Sequence, residues 1–212
     1  EYDKTDALDF DAHLRGHLEA QITNVADELA YTAHDLDDGL RSGMITAEML
    51  ADIDLWTIVA NRLELPTCQL DDRKRHEVIR ELIGLEVDTM IAQSNARLEK
   101  SGVETLNDLQ SLPYNVVGFD ELMRNYNREL KDFLYHNMYR NYRVVRMQHK
   151  AERVLSELFT AYIADPTMLP LQFQEQLDHK GKEQTVCDYL AGMTDRFAVD
   201  EYQKLFDPSL LP

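Results

Sequence analysis

The chain has 212 residues, 44% of them hydrophobic, and a formal net charge of −17. This length and composition suffice for a sizeable buried core. The acidic charge argues against general nucleic-acid binding, because phosphate backbones are bound by basic surfaces. No apolar run of about 18 residues predicts a membrane span, and no basic, apolar leader indicates secretion. Two widely separated cysteines, Cys68 and Cys187, favour a reducing compartment, so we expect a cytoplasmic protein.

The first predicted helix runs from Leu18 to Leu40. Its apolar residues recur every three or four positions: Ile22, Val25, Leu29, Ala33 and Leu36. Gly39 and Gly43 are its predicted terminators. Thr46 then fits the N-cap of a second helix, and Pro66 ends that region.

Helical periodicity continues through the rest of the chain. Further helices are predicted within residues 71–99, 102–113, 119–138, 140–164, 170–178 and 182–206. The expected buried positions are Val78, Leu82, Leu85, Thr89 and Ala92 in the 71–99 helix, and Val144, Met147, Ala151, Leu155, Leu158 and Tyr162 in the 140–164 helix. Because no strand pattern and no Gly/Ser-rich or Pro-rich linker occurs, we predict an all-α fold in a single helical unit across 1–212.

The segment VADELAYTAHDLDDG, residues 25–39, carries five carboxylates on and around an apolar ladder. Asp27, Tyr31 and Asp35 are four residues apart, so each step turns only about 40° and the three share one helix face. Two interpretations stay open. The acids form a solvated face, or these three side chains bind a metal and a sugar, since carboxylates ligate cations and accept hydrogen bonds from hydroxyls.

The segment YRNYRVVRMQHKAERV, residues 139–154, is the most cationic part of the chain. Its basic side chains are three or four residues apart along one helical stripe, here called the basic stripe: Arg140, Arg143, Arg146, Lys150 and Arg153. One interpretation is phosphate binding, with Arg143 and Lys150 as the preferred pair. Tyr139, Tyr142 and His149 would be further hydrogen-bonding groups. The other is an exposed stripe paired with acids on neighbouring helices.

Three segments carry a family resemblance: LEAQITNVADELAYTAHDLDDGLRSG (18–43), FLYHNMYRNYRVVRMQHKAERVLSELF (133–159) and VCDYLAGMTDRFAVDEYQKLF (186–206). In this order they resemble segments of the bacterial deoxyguanosinetriphosphate triphosphohydrolase-like proteins, which are HD-domain phosphohydrolases. The resemblance implies an all-α, multi-helical HD-domain-like fold. It also implies that residues 1–65 end the metal-site core and that 66–212 form a C-terminal helical region.

The resemblance implies an activity as well. The family hydrolyses deoxynucleoside triphosphates to deoxynucleoside and triphosphate with a divalent metal ion, for which Mg, Mn, Fe and Ni stay open. It implies that Asp27 is a metal ligand and that Tyr31 and Asp35 hold the deoxyribose. Phosphate contacts are then expected from the basic stripe, through Arg140, Arg143, Arg146 or Lys150, and a homo-oligomer is expected.

The sequence departs from the family pattern in one respect. The family's earlier metal-binding segment, roughly H…HDxGHxPFGH, is absent, so the chain resembles only the C-terminal part of the enzyme. We therefore expect the full-length protein to be the enzyme and this piece alone to be inactive. The alternative is a non-catalytic nucleotide-binding or oligomerisation module with an HD-like helical fold. A third possibility is an HD fold that cleaves a different phosphoester.

Overall fold

The computed structural model describes residues 14–65 and 70–209; Pro66 and Cys68 lie outside these ranges. Across the described ranges all regular elements are helical and no β-strand occurs, which confirms the predicted all-α fold. None of the helices in these ranges has the length and apolar character needed to cross a membrane.

The chain divides into two compact units, residues 1–141 and 142–212. The sequence predicted one unit with an internal boundary at residues 65/66, and the observed division does not coincide with that boundary. Each unit has its own hydrophobic core: the buried residues of the first end at Met138, and those of the second begin at Val154.

The first unit is built from five α-helices and one π-helical turn within the described residues. In chain order they are α1 (Leu18–Arg41), α2 (Asp54–Arg62), α3 (Asp72–Ser101), α4 (Leu106–Gln110), α5 (Glu121–Leu134) and the π-helical turn Tyr135–Tyr139. The long helix α3 packs against α1 and α2, and α5 packs against the same two helices. This arrangement places α1 and α5 side by side.

The end of α1 differs in part from the prediction. Gly43 has φ +69°, a left-handed conformation that favours glycine, and it follows the last helical residue as predicted. Gly39 lies inside the helix instead, where an added Cβ would sit 2.5 Å from Cδ1 of Ile45, so this glycine permits close packing. Thr46 accepts a hydrogen bond from the Met49 amide (3.4 Å) in a series of turns, because α2 begins only at Asp54; the predicted helix cap at Thr46 was wrong.

The buried faces are partly those predicted. In α1, Leu29, Ala33 and Leu36 are buried, whereas Ile22 is exposed. The buried residues of α3 are Arg75, Val78, Ile79, Leu82, Glu86 and Met90, and the predicted Ala92 is exposed. The predicted buried face of α3 contained no charged side chain. The observed buried face of α3 includes two charged residues, which a purely apolar criterion excludes.

Two buried polar side chains hold the first unit together. The Arg75 guanidinium donates to Asp37 of α1 and to Asp72, both at 2.7 Å, and the Asp37 carboxylate raises the Arg75 pKa. Gln21 of α1 is buried, and its amide oxygen accepts from the backbone amides of Val116 (2.9 Å) and Val117 (3.2 Å). These contacts fix the start of α3 and the loop before α5 relative to α1.

The second unit contains shorter helices after its first. They are α6 (Tyr142–Ala164), a 3₁₀ turn (Pro166–Met168), α7 (Leu171–Gln174), α8 (Leu177–Lys180), α9 (Lys182–Ala191) and α10 (Asp195–Phe206). The predicted helix over 182–206 is therefore two helices, separated by Gly192–Thr194. Thr194 caps α10 by accepting a hydrogen bond from the Phe197 amide at 3.3 Å.

The buried face of α6 was predicted correctly only in part. Leu158 and Tyr162 are buried as predicted and Val154 is buried as well, whereas the predicted Met147 and Leu155 are exposed. The core of this unit packs against the C-terminal half of α6 only. Among the described residues, the N-terminal half of α6 contributes no side chain to this core.

Candidate functional site

Helix α1 contributes one wall of a cavity of about 700 Å³ in the first unit. Asp27, Tyr31 and Asp35 line this wall, and the opposite wall comes from α5 and the π-helical turn, including Tyr135 and Tyr139. We call this space the α1 cavity. Its volume is in the range of small-molecule binding sites, and the structure brings all three candidate residues of α1 to it.

The three α1 residues differ in burial. Asp27 is exposed, Tyr31 is 61% exposed and Asp35 is half-buried. Each four-residue step rotates about 40° towards the buried face, so the last of the three lies nearest the core. Of these three residues, Asp35 alone borders the buried core.

Tyr139 completes the cluster across the cavity. Its hydroxyl lies 2.8 Å from the hydroxyl of Tyr31 and donates a hydrogen bond to Oδ2 of Asp35. Burial and the hydrogen bonds with Asp35 and Tyr31 raise the pKa of the Tyr139 hydroxyl, so it stays protonated and remains a donor. The sequence suggested a phosphate contact for this tyrosine; in the structure its partners are a carboxylate and a second phenol.

A π-helical turn positions Tyr139. The amide of Arg140 donates to the carbonyl oxygen of Tyr135 at 3.0 Å, the i→i+5 pattern that widens a helix by one residue per turn. Tyr135 and Tyr139, at the two ends of this turn, line the same cavity. Single π-helical turns occur frequently at functional sites, but the local sequence YHNMY gives no recognised signal for one.

An ion pair joins the two walls of the α1 cavity. Lys131 of α5 contacts Glu28 of α1 through its ammonium group. Lys131 belongs to none of the sequence motifs described above. A solvated face was one of the two interpretations of the acids in residues 25–39. Glu28 and Asp37 are instead paired with cations from neighbouring helices.

A buried carboxyl group lies beside this ion pair. Glu86 of α3 is 1% exposed, and its Oε2, like Oδ1 of Asn127, has no hydrogen-bond partner within the described ranges. Burial raises the pKa of the Glu86 carboxyl to about 7, opposed by a hydrogen bond from Asn127 and by the charge of Lys131, while Glu28 raises it further. The group is therefore neutral much more readily than an ordinary glutamate.

The described part of the chain does not form a metal site by itself. No cluster of three or more His, Cys, Asp or Glu side chains suitable for a metal ion occurs there. A single carboxylate such as Asp27 does not fit a hard divalent cation, which needs several oxygen ligands. The ligand role of Asp27 thus stays a prediction that requires further ligands.

The basic stripe is solvent-exposed at its four candidate positions. Arg140 ends the π-helical turn of the first unit, and Arg143, Arg146 and Lys150 lie on α6 of the second. Arg143 donates to the hydroxyl of Tyr142 at 3.2 Å. The phosphate contacts expected of these four cations stay predictions.

Comparison with known proteins agrees with the resemblance read from the sequence. Residues 117–204 match the model of the phosphohydrolase-associated domain. The chain is 48% identical over 192 residues to a deoxyguanosinetriphosphate triphosphohydrolase-like protein of Geobacter sulfurreducens. The resemblance is confirmed. Proteins of the same name from Geobacter metallireducens and Nitrosomonas europaea are 43% and 38% identical.

Each alignment includes most of this chain but only about half of the relative. About 90% of this chain is aligned in each case, whereas the aligned share of the three relatives is 50%, 50% and 52% of their length. The chain thus spans about half the length of the curated relatives it matches. The domain match includes α5 and the π-helical turn, so it contains one wall of the α1 cavity.

Proposed function

We propose that the full-length protein hydrolyses deoxynucleoside triphosphates, dGTP among them, to deoxynucleoside and triphosphate. The names of the relatives support this activity. The observation that carries it is the α1 cavity, where Asp35 and two tyrosine hydroxyls converge from separate helical elements. Such a cluster suits a sugar bearing few hydroxyl groups.

Asp35 is the group proposed to hold the deoxyribose. Tyr139 occupies its Oδ2, and no described residue donates to its Oδ1. A carboxylate has acceptor capacity on both oxygens, so a sugar hydroxyl can donate to Asp35 without displacing Tyr139. The exposed ring of Tyr31 offers a face for the sugar or base, and its crowding beside Asp35 would disfavour a 2′-hydroxyl.

The remaining parts of the proposal concern groups beyond this cluster. We propose dependence on a divalent metal, for which Asp27 would be one ligand and the others would come from outside the described residues. The basic stripe would neutralise the triphosphate, and the protein would work as a homo-oligomer.

Product analysis of the full-length protein tests the activity. The protein is incubated with each dNTP, and with each ribonucleotide as a control, in the presence of a divalent metal, and released triphosphate is measured. Asp27→Ala should abolish release. Asp38→Ala, an exposed acid eleven positions along the same helix, should not. Release of phosphate or pyrophosphate instead would indicate another phosphoesterase, and binding without any product would favour the non-catalytic module.

The sugar contact is tested separately. Asp35→Ala should raise KM mainly. Tyr139→Phe should raise KM about tenfold, because Asp35 loses the charge-assisted hydrogen bond that orients its carboxylate for the sugar. Tyr135→Phe is the matched control, because it removes a hydroxyl from the same cavity wall without touching Asp35. Equal effects of the two phenylalanine variants would contradict the assignment of Asp35 and Tyr139 to the sugar.

A further inference from the structure

A second cavity of about 1090 Å³ lies in the first unit, between the C-terminal half of α3, the loop 114–119 and α5. Five of its lining residues are cationic: Arg97, Lys100, Arg124, Arg128 and Lys131. Among the described residues Glu28 is the one acid that lines it, so the charge of this lining is 5 − 1 = +4, in a chain whose net charge is −17. We call this space the basic pocket.

The cations come from two helices that turn their basic faces to the same space. Arg124, Arg128 and Lys131 are four and three residues apart on α5, and Arg97 and Lys100 are three apart on α3. Residues at these spacings lie on one helix face. Like charges gathered around a cavity repel one another, so an anion bound between them would lower the electrostatic free energy.

Some of the cations are fixed in place and others are available. Arg97 donates to the carbonyl oxygen of Phe119 at 2.5 Å, and Arg124 donates through Nε to the carbonyl oxygen of Asp120 at 3.2 Å. Lys100 and Arg128 make no hydrogen bond or ion pair with any residue of 14–65 or 70–209. The pocket therefore combines positioned guanidinium groups with two cations that no other described residue holds by a hydrogen bond or ion pair.

The loop wall of the basic pocket is also fixed. The buried Gln21 holds the amides of Val116 and Val117, and the hydroxyl of Ser94 accepts from the Gly118 amide at 3.2 Å. Gly118 has φ +153°, and an added Cβ would lie 3.1 Å from Nη1 of Arg97. The glycine thus lets the guanidinium approach the loop closely. The loop wall is therefore held in place by hydrogen bonds to α1 and α3.

We propose that the basic pocket binds a compact phosphate compound bearing several negative charges. Three of its five cations are arginines, whose planar guanidinium forks match phosphate oxygens with two hydrogen bonds each. Side-chain amides of Gln93 and Asn115 add neutral donors to the lining. The inference does not rest on the proposed catalysis, because Asp27, Tyr31 and Asp35 do not line this pocket.

Titration calorimetry with inorganic triphosphate tests the proposal. The full-length protein is titrated in the presence of a chelator, which removes metal-dependent binding. The double variant Lys100→Gln/Arg128→Gln should raise the Kd at least about tenfold, since each lost cation removes a charge-assisted hydrogen bond. Arg73→Gln, an exposed arginine on α3 outside the pocket, is the matched control and should bind like the wild type.

The outcomes separate this site from the α1 cavity. Asp35→Ala should leave triphosphate affinity unchanged. No binding by the wild type, equal affinity in the double variant, or equal weakening by Arg73→Gln overturns the proposal. So does a loss of binding in Asp35→Ala with the double variant unaffected, because the anion would then occupy the α1 cavity. Absence of dNTP hydrolysis would reject the proposed activity and leave this measurement intact.

Discussion

The buried carboxyl of Glu86 predicts an unusual pH dependence of stability. Its pKa is about 7 in the folded protein against an ordinary value of 4.5, because burial disfavours the charged form. Between these two values the folded state binds more protons than the unfolded state, so the free energy of unfolding falls as pH rises. Below about pH 4.5 the carboxyl is neutral in both states and carries no penalty; above about pH 7 the full penalty is present.

The change Glu86→Gln isolates this effect, because glutamine has nearly the same shape and stays neutral. A pKa difference of 2.5 units corresponds to about 3 kcal/mol at full ionisation, and to about 2.5 kcal/mol between pH 5 and pH 8. The free energy of unfolding of the variant, relative to that of the wild type, should therefore be about 2.5 kcal/mol greater at pH 8 than at pH 5. Denaturant unfolding at both pH values measures this difference.

The structure provides a fluorescence probe and a control variant for the Glu86→Gln experiment. Trp56 is the one tryptophan of the 212 residues and is buried in the same unit as Glu86, so its fluorescence reports unfolding there. Glu99→Gln is the control, since Glu99 is an exposed glutamate on the same helix. A stability difference between wild type and Glu86→Gln that is the same at both pH values would refute the reasoning.

Two further predictions concern buried hydrogen bonds. Gln21→Ala should lower the free energy of unfolding by about 2–4 kcal/mol, because two backbone amides lose their acceptor. Denaturant titration measures this loss. An effect no larger than that of an exposed Gln→Ala control would contradict this role. Tyr162→Phe should cost about 1 kcal/mol in thermal unfolding, because the tyrosine hydroxyl donates to Glu201 at 2.9 Å in the core of the second unit. The same loss in Tyr142→Phe, an exposed tyrosine, would show that the hydrogen bond contributes nothing.

The features predicted correctly from sequence are those fixed by local geometry. The spacing of Tyr31 and Asp35 decides that they share a helix face, and the left-handed Gly43 that follows α1 was predicted as a terminator from its place in the sequence. The fold class follows from periodicity that persists along the chain. In each case the determining residues lie within a few turns of one another.

The features that were missed depend on contacts between distant residues. Tyr139 meets Asp35 across 104 positions, through a π-helical turn that has no sequence signature. Glu86 was passed over because a charged residue is not counted in an apolar ladder. The basic pocket was not predicted, because its cations on α3 and α5 are more than 20 residues apart in sequence. Only the packing of the two helices brings these side chains to the same cavity.

The ion pair between Glu28 and Lys131 has a practical consequence. Both residues line both the α1 cavity and the basic pocket, so this ion pair separates two neighbouring compartments. A ligand that draws the ammonium group to one side withdraws it from the other, and occupancy of either compartment must then alter affinity in its neighbour by an equal factor. Substituting Lys131 would disturb both compartments at once and could not tell one from the other.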